Sequence, residues 1–159
     1  MSEIKLKVKR LPHCAALPDY ATKGSAGLDL CAAIEHELTV EPNKRLRIPT
    51  GIIIAVPDGF EGQVRARSGL ADRAGISLTN GIGTIDSDYR GEVQVLIINH
   101  GDTPYTFQPG ERIAQLVLVP IPKIEIEEVE DLGAPTSRGE GGFGSTGQAA
   151  WTSDYRGEP

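Results

Sequence analysis

The chain is poor in the residues that build metal clusters and disulfide scaffolds. Of its 159 residues only two are cysteine, Cys14 and Cys31, and three are histidine, His13, His36 and His100. The cysteines lie outside any C-x-x-C pattern and the histidines are scattered, so no zinc cluster can be read and reduced structural thiols are expected. Positive charge is scarce as well. Sixteen Lys and Arg against 22 Asp and Glu leave a formal charge of −6, which excludes a general nucleic-acid binder for want of cations to neutralise phosphates. A small anionic ligand needs only a few well-placed arginines. Long apolar runs are missing too. Runs such as "IIIAV" and "LVLV" fall far short of the ~20 residues that cross a bilayer. The amino-terminal "MSEIKLKVKRL" alternates apolar and basic residues where a signal peptide has a continuous apolar stretch. A cytoplasmic location with no membrane attachment is therefore expected.

What is present is mostly β signal. Ile4, Leu6 and Val8 alternate with lysines, as in a half-buried strand. Short apolar runs follow in "RLRIPT", "GIIIAVP", "GQVRAR", "EVQVLIINH", "ERIAQLVLVP" and "IEIEEV", punctuated by "PDG", "NGIG", "HGDTP" and "QPGE". Nineteen glycines and eleven prolines are too many for a helical bundle, and only "SGLADRAG" suits a helix, a short one. Many short strands with regular turns predict an all-β sandwich or jelly-roll-like distorted barrel. After Leu132 the composition changes. From Gly133 to Pro159 there is no Leu, Ile or Val, so the segment cannot bury enough apolar area to offset its ordering entropy. Residues 1–132 are expected to form the folded body and 133–159 a flexible arm. Yet the arm contains "SRGEGGFGSTG", and a plain linker needs neither its arginine nor its phenylalanine.

Four stretches could carry chemistry. In "NGIGTIDSDYRGE" (80–92), glycines at 81, 83 and 91 around a short apolar centre suggest a hairpin that approaches a ligand closely. It is not a calcium loop: Arg90 stands where an oxygen ligand is needed, and Ile97 replaces the closing glutamate. In "ARSGLAD" (66–72), Arg67 at a strand end, then Ser68 and Gly69 at a helix start, offer a guanidinium fork, a hydroxyl and outward N–H groups to a phosphate. "RGEGGFGSTG" (138–147) approaches the phosphate-binding G-x-x-x-x-G-K-[ST], but Ser145 takes the lysine's place and no strand and helix flank it, so it is not a P-loop. Its glycines can still converge N–H groups on an anion. In "GERIAQLVLVP" (110–120), Arg112 and Gln115 interrupt a core strand.

Together with "GSAGLDL" (24–30), these stretches resemble, in order, the five motifs of the trimeric dUTPases, over roughly residues 4–147. The resemblance implies a jelly-roll-like (β-clip type) homotrimer whose active sites are shared between chains. Its activity would be hydrolysis of dUTP to dUMP and pyrophosphate, which limits uracil in DNA and supplies dUMP for thymidylate synthesis. By the same resemblance Asp86 is the general base that directs water at the α-phosphorus. Asn80, the main chain of Gly83, Thr84 and Ile85, and the returning strand at Gln94 read the uracil. Tyr89 packs on the sugar and excludes a 2′-hydroxyl. Arg67, Ser68, Gly69 and Gln115 hold the phosphates, and Asp29 meets Mg²⁺, itself chelated by the triphosphate, only through water. The arm then closes as a lid, Phe143 over the base and Arg138, Gly144, Ser145 and Thr146 on the distal phosphates.

Two alternatives accompany that expectation. A dCTP deaminase of the same superfamily needs a proton-shuttling glutamate in the base pocket, and Glu92 lies just outside the motif's central run. A non-catalytic nucleotide-sensing β-domain is opposed by the intact aspartate, arginines and glycine-rich arm. The hexapeptide "SDYRGE" occurs at 87–92 and again at 153–158. The second copy has Thr152 where the first has Asp86, and no catalytic part is expected of the tail 148–159.

Overall fold

The structure, a computed structural model, describes residues 4–143 and 145. Among them run eleven strands and one helix. The chain begins with β1 (Lys7–Arg10), β2 (Asp19–Tyr20), β3 (Leu28–Cys31) and β4 (Leu38–Val40). The long β5 (Arg45–Ala55) and β6 (Phe60–Ala66) lead into helix α1 (Ser68–Ala74). Then come β7 (Ile76–Leu78), β8 (Gly83–Ile85), β9 (Glu92–Asn99), β10 (Tyr105–Phe107) and β11 (Arg112–Pro120). The all-β, jelly-roll-like expectation holds, and the helix falls inside "SGLADRAG". Gly75 ends it in the left-handed region, at φ 65°, where its N–H returns to the Ala71 and Leu70 carbonyls.

The strands form three antiparallel sheets, β1-β5-β9-β7, β2-β3-β11-β6-β8 and the pair β10-β4. The barrel is distorted far enough that no single hydrogen-bonded ring closes it. Its core lies between the sheets, where Leu30, Ile48, Ile54, Val95, Ile97, Phe107, Ile113 and Leu116 are fully buried. Each such side chain contributes about 1.5–3 kcal/mol by leaving water. Asn99 is buried with them, and its amide is fully used: Nδ2 donates to the Val40 and Thr103 carbonyls at 3.0 and 2.8 Å, and Oδ1 accepts from Gly101 N–H at 2.8 Å.

The chain divides into two units, Met1–Lys123 and Ile124–Pro159, and every strand belongs to the first. Two expectations are corrected. "IEIEEV" (124–129) is not a strand, and Ile124 and Ile126 stand exposed. Alternation alone does not make a strand when no neighbouring ladder takes up its N–H and C=O groups. The amino-terminal alternation does give β1, but on the edge of its sheet and exposed at all four residues instead of half-buried. Lysines suit such an edge, since their charge discourages further pairing.

Candidate active site

The segment 80–92 does not close as a two-stranded hairpin. Its first arm, β8, pairs with β6 in the five-stranded sheet, and its second, β9, pairs with β5 and β7 in the four-stranded one. The turn between them therefore bridges two sheets, and a cleft of about 370 Å³ opens where the arms part, within the usual size of small-molecule sites. Asn80, Gly83, Thr84, Ile85, Tyr89 and Gln94, expected at the base and sugar, line it together with Asp86, the expected general base.

Local chemistry shapes that turn. Gly81 adopts φ 70°, as a tight reversal requires. A Cβ on Gly83 would press on Val64 Cβ at 3.3 Å and on Asn80 Nδ2 at 3.4 Å. Beyond β8 the backbone turns at Asp86, whose carbonyl accepts from Tyr89 N–H at 3.2 Å. Arg90 braces the turn from outside, donating to the Ser87 and Tyr89 carbonyls at 2.7 Å each. The Asp86 side chain is exposed, so its carboxylate is available to a bound molecule. Tyr89 folds back over Gly91 and donates its hydroxyl to the Glu92 carbonyl at 3.1 Å.

Sequence reading missed two charged residues of this cleft, Arg47 and Glu92, and the apolar walls Val64, Leu78, Val93 and Leu96. The regular β5–β9 ladder places Arg47, opposite Leu96, and an irregularity in β5 places Glu92. Pro49 has no N–H to give the ladder, and the β5–β9 register slips between Pro49 and Ile53. Thr50 donates its buried hydroxyl to the Val93 carbonyl at 2.6 Å, and Gly51, at φ 70°, aims its N–H at Glu92 Oε1 at 2.8 Å. His13 Nε2 meets the same oxygen at 2.8 Å. Burial pushes the Glu92 carboxyl up, but the bonds from His13, Gly51 and the Gln94 amide outweigh it and hold the group below the ordinary glutamate value. Glu92, set aside in the sequence reading as outside the motif's run, thus lines the cleft. It is kept ionised and occupied, which is the opposite of what a proton shuttle needs.

A second cluster lies across the five-stranded sheet. Asp29 on β3 sits opposite Gln115 on β11, which sits opposite Arg65 on β6. Asp29 is buried; Arg112 Nη1 donates to its Oδ2 at 2.9 Å, and Arg67 Nε lies 3.5 Å from its Oδ1. Arg67 also donates through Nη1 to the Arg112 carbonyl at 2.8 Å, so the carboxylate fixes both guanidinium groups. Burial first, and then the Asp29 charge, push the neighbouring Cys31 thiol up, which makes it a poor nucleophile. Arg67 is the N-cap of α1 without a side-chain capping bond, and Ser68 is its first helical residue rather than the cap. Arg67, Ser68, Gly69, Gln115 and Asp29 do not line the cleft. In the sheet order β3-β11-β6-β8, Asp29 lies three strand spacings of about 4.8 Å from β8 and Gln115 two, while Arg67 follows the strand that pairs with β8. One chain does not bring them into one pocket.

Among the described residues no group of three or more His, Cys, Asp and Glu side chains could hold a metal ion. Magnesium keeps most of its waters and takes one or two carboxylates beside substrate phosphates. Asp29 fits that habit through a water: among the described residues its buried Oδ1 has no hydrogen-bond partner, an acceptor awaiting a donor. In the second unit Arg138 Nε donates to the Gly141 carbonyl at 2.9 Å, Ser145 N–H donates to the Gly142 carbonyl at 2.9 Å, and Phe143 is exposed at φ 48°. Gly144, Thr146 and the tail with its second "SDYRGE" lie outside the described residues. Within those residues no helix is long and apolar enough to cross a membrane.

Residues 14–147 match the dUTPase family. The chain belongs to the dUTPase family. It is 52% identical over 149 residues to a deoxyuridine 5'-triphosphate nucleotidohydrolase of Wolbachia pipientis subsp. Culex pipiens (strain wPip), covering 92% of this chain and 97% of the relative. It is 53% identical over 155 residues to the protein of that name from Methylocella silvestris, covering 94% and 96%. Among solved structures, the Staphylococcus bacteriophage 80alpha dUTPase with the analogue dUPNHPP superposes with a TM-score of 0.82 at 30% identity, over 91% of this chain and 99% of that one. A mutant dUTPase of S. aureus phage phi11, described with a structural Mg(II) ion, gives 0.73 at 25% identity over 81% and 99%.

Proposed function

We propose that this dUTPase hydrolyses dUTP to dUMP and pyrophosphate in the cytoplasm as a homotrimer. The observation that carries the reading is the cleft between the diverging arms of 80–92, which puts an exposed carboxylate, Asp86, at the mouth of a wedge walled by Asn80, Gln94 and the Gly83–Ile85 backbone. An amide frame of fixed donors and acceptors suits one pyrimidine edge and leaves buried groups unpaired against another. Tyr89 lies along the wall where a deoxyribose would pack.

In the proposed reaction Asp86 orients a water in line with the α-phosphorus and takes its proton. The water oxygen bonds to phosphorus as the bond to the bridging oxygen breaks, and pyrophosphate leaves with that oxygen's electron pair. A carboxylate is a modest base at neutral pH, so orientation and charge stabilisation supply most of the rate. Arg67, Ser68, Gly69 and Gln115 would hold the phosphates. Magnesium bound to the triphosphate would neutralise its oxygens, and the residue suited to hold it, through water, is Asp29. That Arg67, Ser68, Gly69 and Gln115 do not line the cleft supports a site shared by neighbouring copies. Residues 133–159 would supply the lid, with Phe143 over the base and Arg138, Gly144, Ser145 and Thr146 on the distal phosphates.

The test is pyrophosphate release from dUTP, dTTP, UTP and dCTP side by side, with and without Mg²⁺, together with the mass of the assembly in solution. Turnover confined to dUTP, stimulated by Mg²⁺, in a particle of three chains is expected. Ammonia from dCTP, or equal turnover of all four nucleotides, would refute the reading.

A further inference from the structure

His13 lies in the turn that follows β1, exposed and outside the core, and the reaction drawn above gives it no part. Yet its Nε2 lies 2.8 Å from Oε1 of Glu92, a residue of the cleft wall. The Glu92 carboxyl is held below the ordinary glutamate value, so at neutral pH it is ionised and only accepts, and His13 is the donor. The bond closes a ring. Glu92 Oε1 also accepts Gly51 N–H at 2.8 Å, the Gly51 carbonyl accepts Leu11 N–H at 2.8 Å, and Leu11 leads through Pro12 back to His13. Gly51 is seated against the same segment, since a Cβ on it would collide with the Cys14 main chain.

The ring sits where the ladder is interrupted. Between Pro49 and Ile53 no residue of β5 is paired in register with β9. The Thr50 hydroxyl on the Val93 carbonyl and the Gly51 N–H on the Glu92 carboxylate stand in for the missing rungs. Glu92 is therefore set in place partly by its own side chain, and what it holds in turn belongs to the cleft. Its carbonyl accepts the Tyr89 hydroxyl at 3.1 Å, and its carboxylate accepts from the Gln94 amide. We propose that His13 is a positioning residue for the substrate: by donating to Glu92 it fixes the carboxylate across the gap in the ladder, and with it the Tyr89 and Gln94 walls of the cleft. This rests on the reading of the cleft as the nucleotide site. His13 does not itself line the cleft, so it acts through Glu92.

The test measures kcat and KM for dUTP and UTP by pyrophosphate release in the unaltered chain, His13→Ala, His13→Gln, Glu92→Ala and the double variant H13A/E92A, with folding checked by thermal melts. For His13→Ala we expect KM for dUTP to rise about fivefold with kcat within about twofold, and the dUTP-over-UTP ratio of kcat/KM to fall about threefold as Tyr89 loosens. Gln carries an amide N–H to about the place of Nε2, so His13→Gln should recover most of the KM, which a mere loss of ring packing would not allow. In the double variant KM should stand within about twofold of Glu92→Ala alone, because the two residues act as one unit. A parent-like KM in His13→Ala, no gain from Gln over Ala, or effects of the two substitutions that multiply would each overturn the proposal. A fall in kcat at unchanged KM would put His13 in the chemistry and overturn it too. In all these cases, loss of turnover in Asp86→Asn would leave the reading of the cleft standing, whereas parent-like turnover in Asp86→Asn would end both. Should Glu92→Ala not fold, the recovery of KM in His13→Gln decides.

Discussion

Tyr89 reaches the main-chain carbonyl of Glu92 with its hydroxyl, 3.1 Å away, by passing its ring over Gly91. The side chain proposed to pack on the sugar is thus clamped to the strand that forms the other wall of the cleft. Gly91 is not in the left-handed region, so its backbone would tolerate alanine. The three atoms nearest to where a methyl would sit all belong to the Tyr89 side chain. Gly91→Ala should therefore displace Tyr89 and little else. Steady-state kinetics should show KM for dUTP up by roughly five- to tenfold, a smaller preference for dUTP over UTP, and stability changed by no more than about 1 kcal/mol. Kinetics unchanged from the parent would mean that Tyr89 does not define the sugar site.

Asp86→Asn keeps size and hydrogen-bonding capacity but removes the base. The expected result is a kcat lower by about 10²–10⁴ with KM within about threefold. Retention of more than a tenth of the parent turnover would remove Asp86 from the chemistry.

Glu92 gives a pH dependence whose sign is fixed. Its carboxyl is held below the ordinary value in the fold, so the unfolded chain takes up the proton first. The stabilisation is complete above about pH 4.3, the unperturbed glutamate value, and is lost as pH falls through the lower folded value. Urea unfolding of Glu92→Gln beside the parent should show a stability gap at neutral pH that narrows under acid. A gap that widened as pH fell would contradict the bonds from His13 and Gly51.

Asp29 fixes two arginines at once. Asp29→Ala would leave Arg67 and Arg112 without their shared counter-charge. Because Arg112 is half exposed, the loss should lie below the 3–5 kcal/mol of a fully buried broken pair, at about 2 kcal/mol. KM for dUTP should rise with it, since Arg67 would lose its orientation. A thermal melt identical to the parent's would show that the guanidinium groups hold their places unaided.

Legibility in the sequence tracks length and locality. Strands β5, β6, β9 and β11 are long enough for alternation to register, as in β9, where Val93, Val95 and Ile97 are buried and Gln94 and Leu96 are not. Strands β2, β3, β4, β7, β8 and β10, of two to four residues, are too short for a period and exist because a neighbour pairs with them. The helix was readable from Gly75 at its end. In the site, residues within one continuous motif were legible. The exceptions were Glu92, at the last position of its motif, and Arg47, outside any motif, because register across the β5–β9 ladder and the break at Pro49 bring them to the cleft. The parting of β8 and β9 into different sheets was hidden for the same reason: a glycine-rich turn reads alike whether its arms pair with each other or elsewhere.

Strand β9 carries one wall of the cleft at Glu92 and ends at the buried amide of Asn99, with three buried aliphatic side chains between. Such a wall has no weak joint of its own and cannot loosen in the manner of a surface loop. The capacity to seat a nucleotide and the cooperative integrity of the whole domain should therefore vanish together under denaturation.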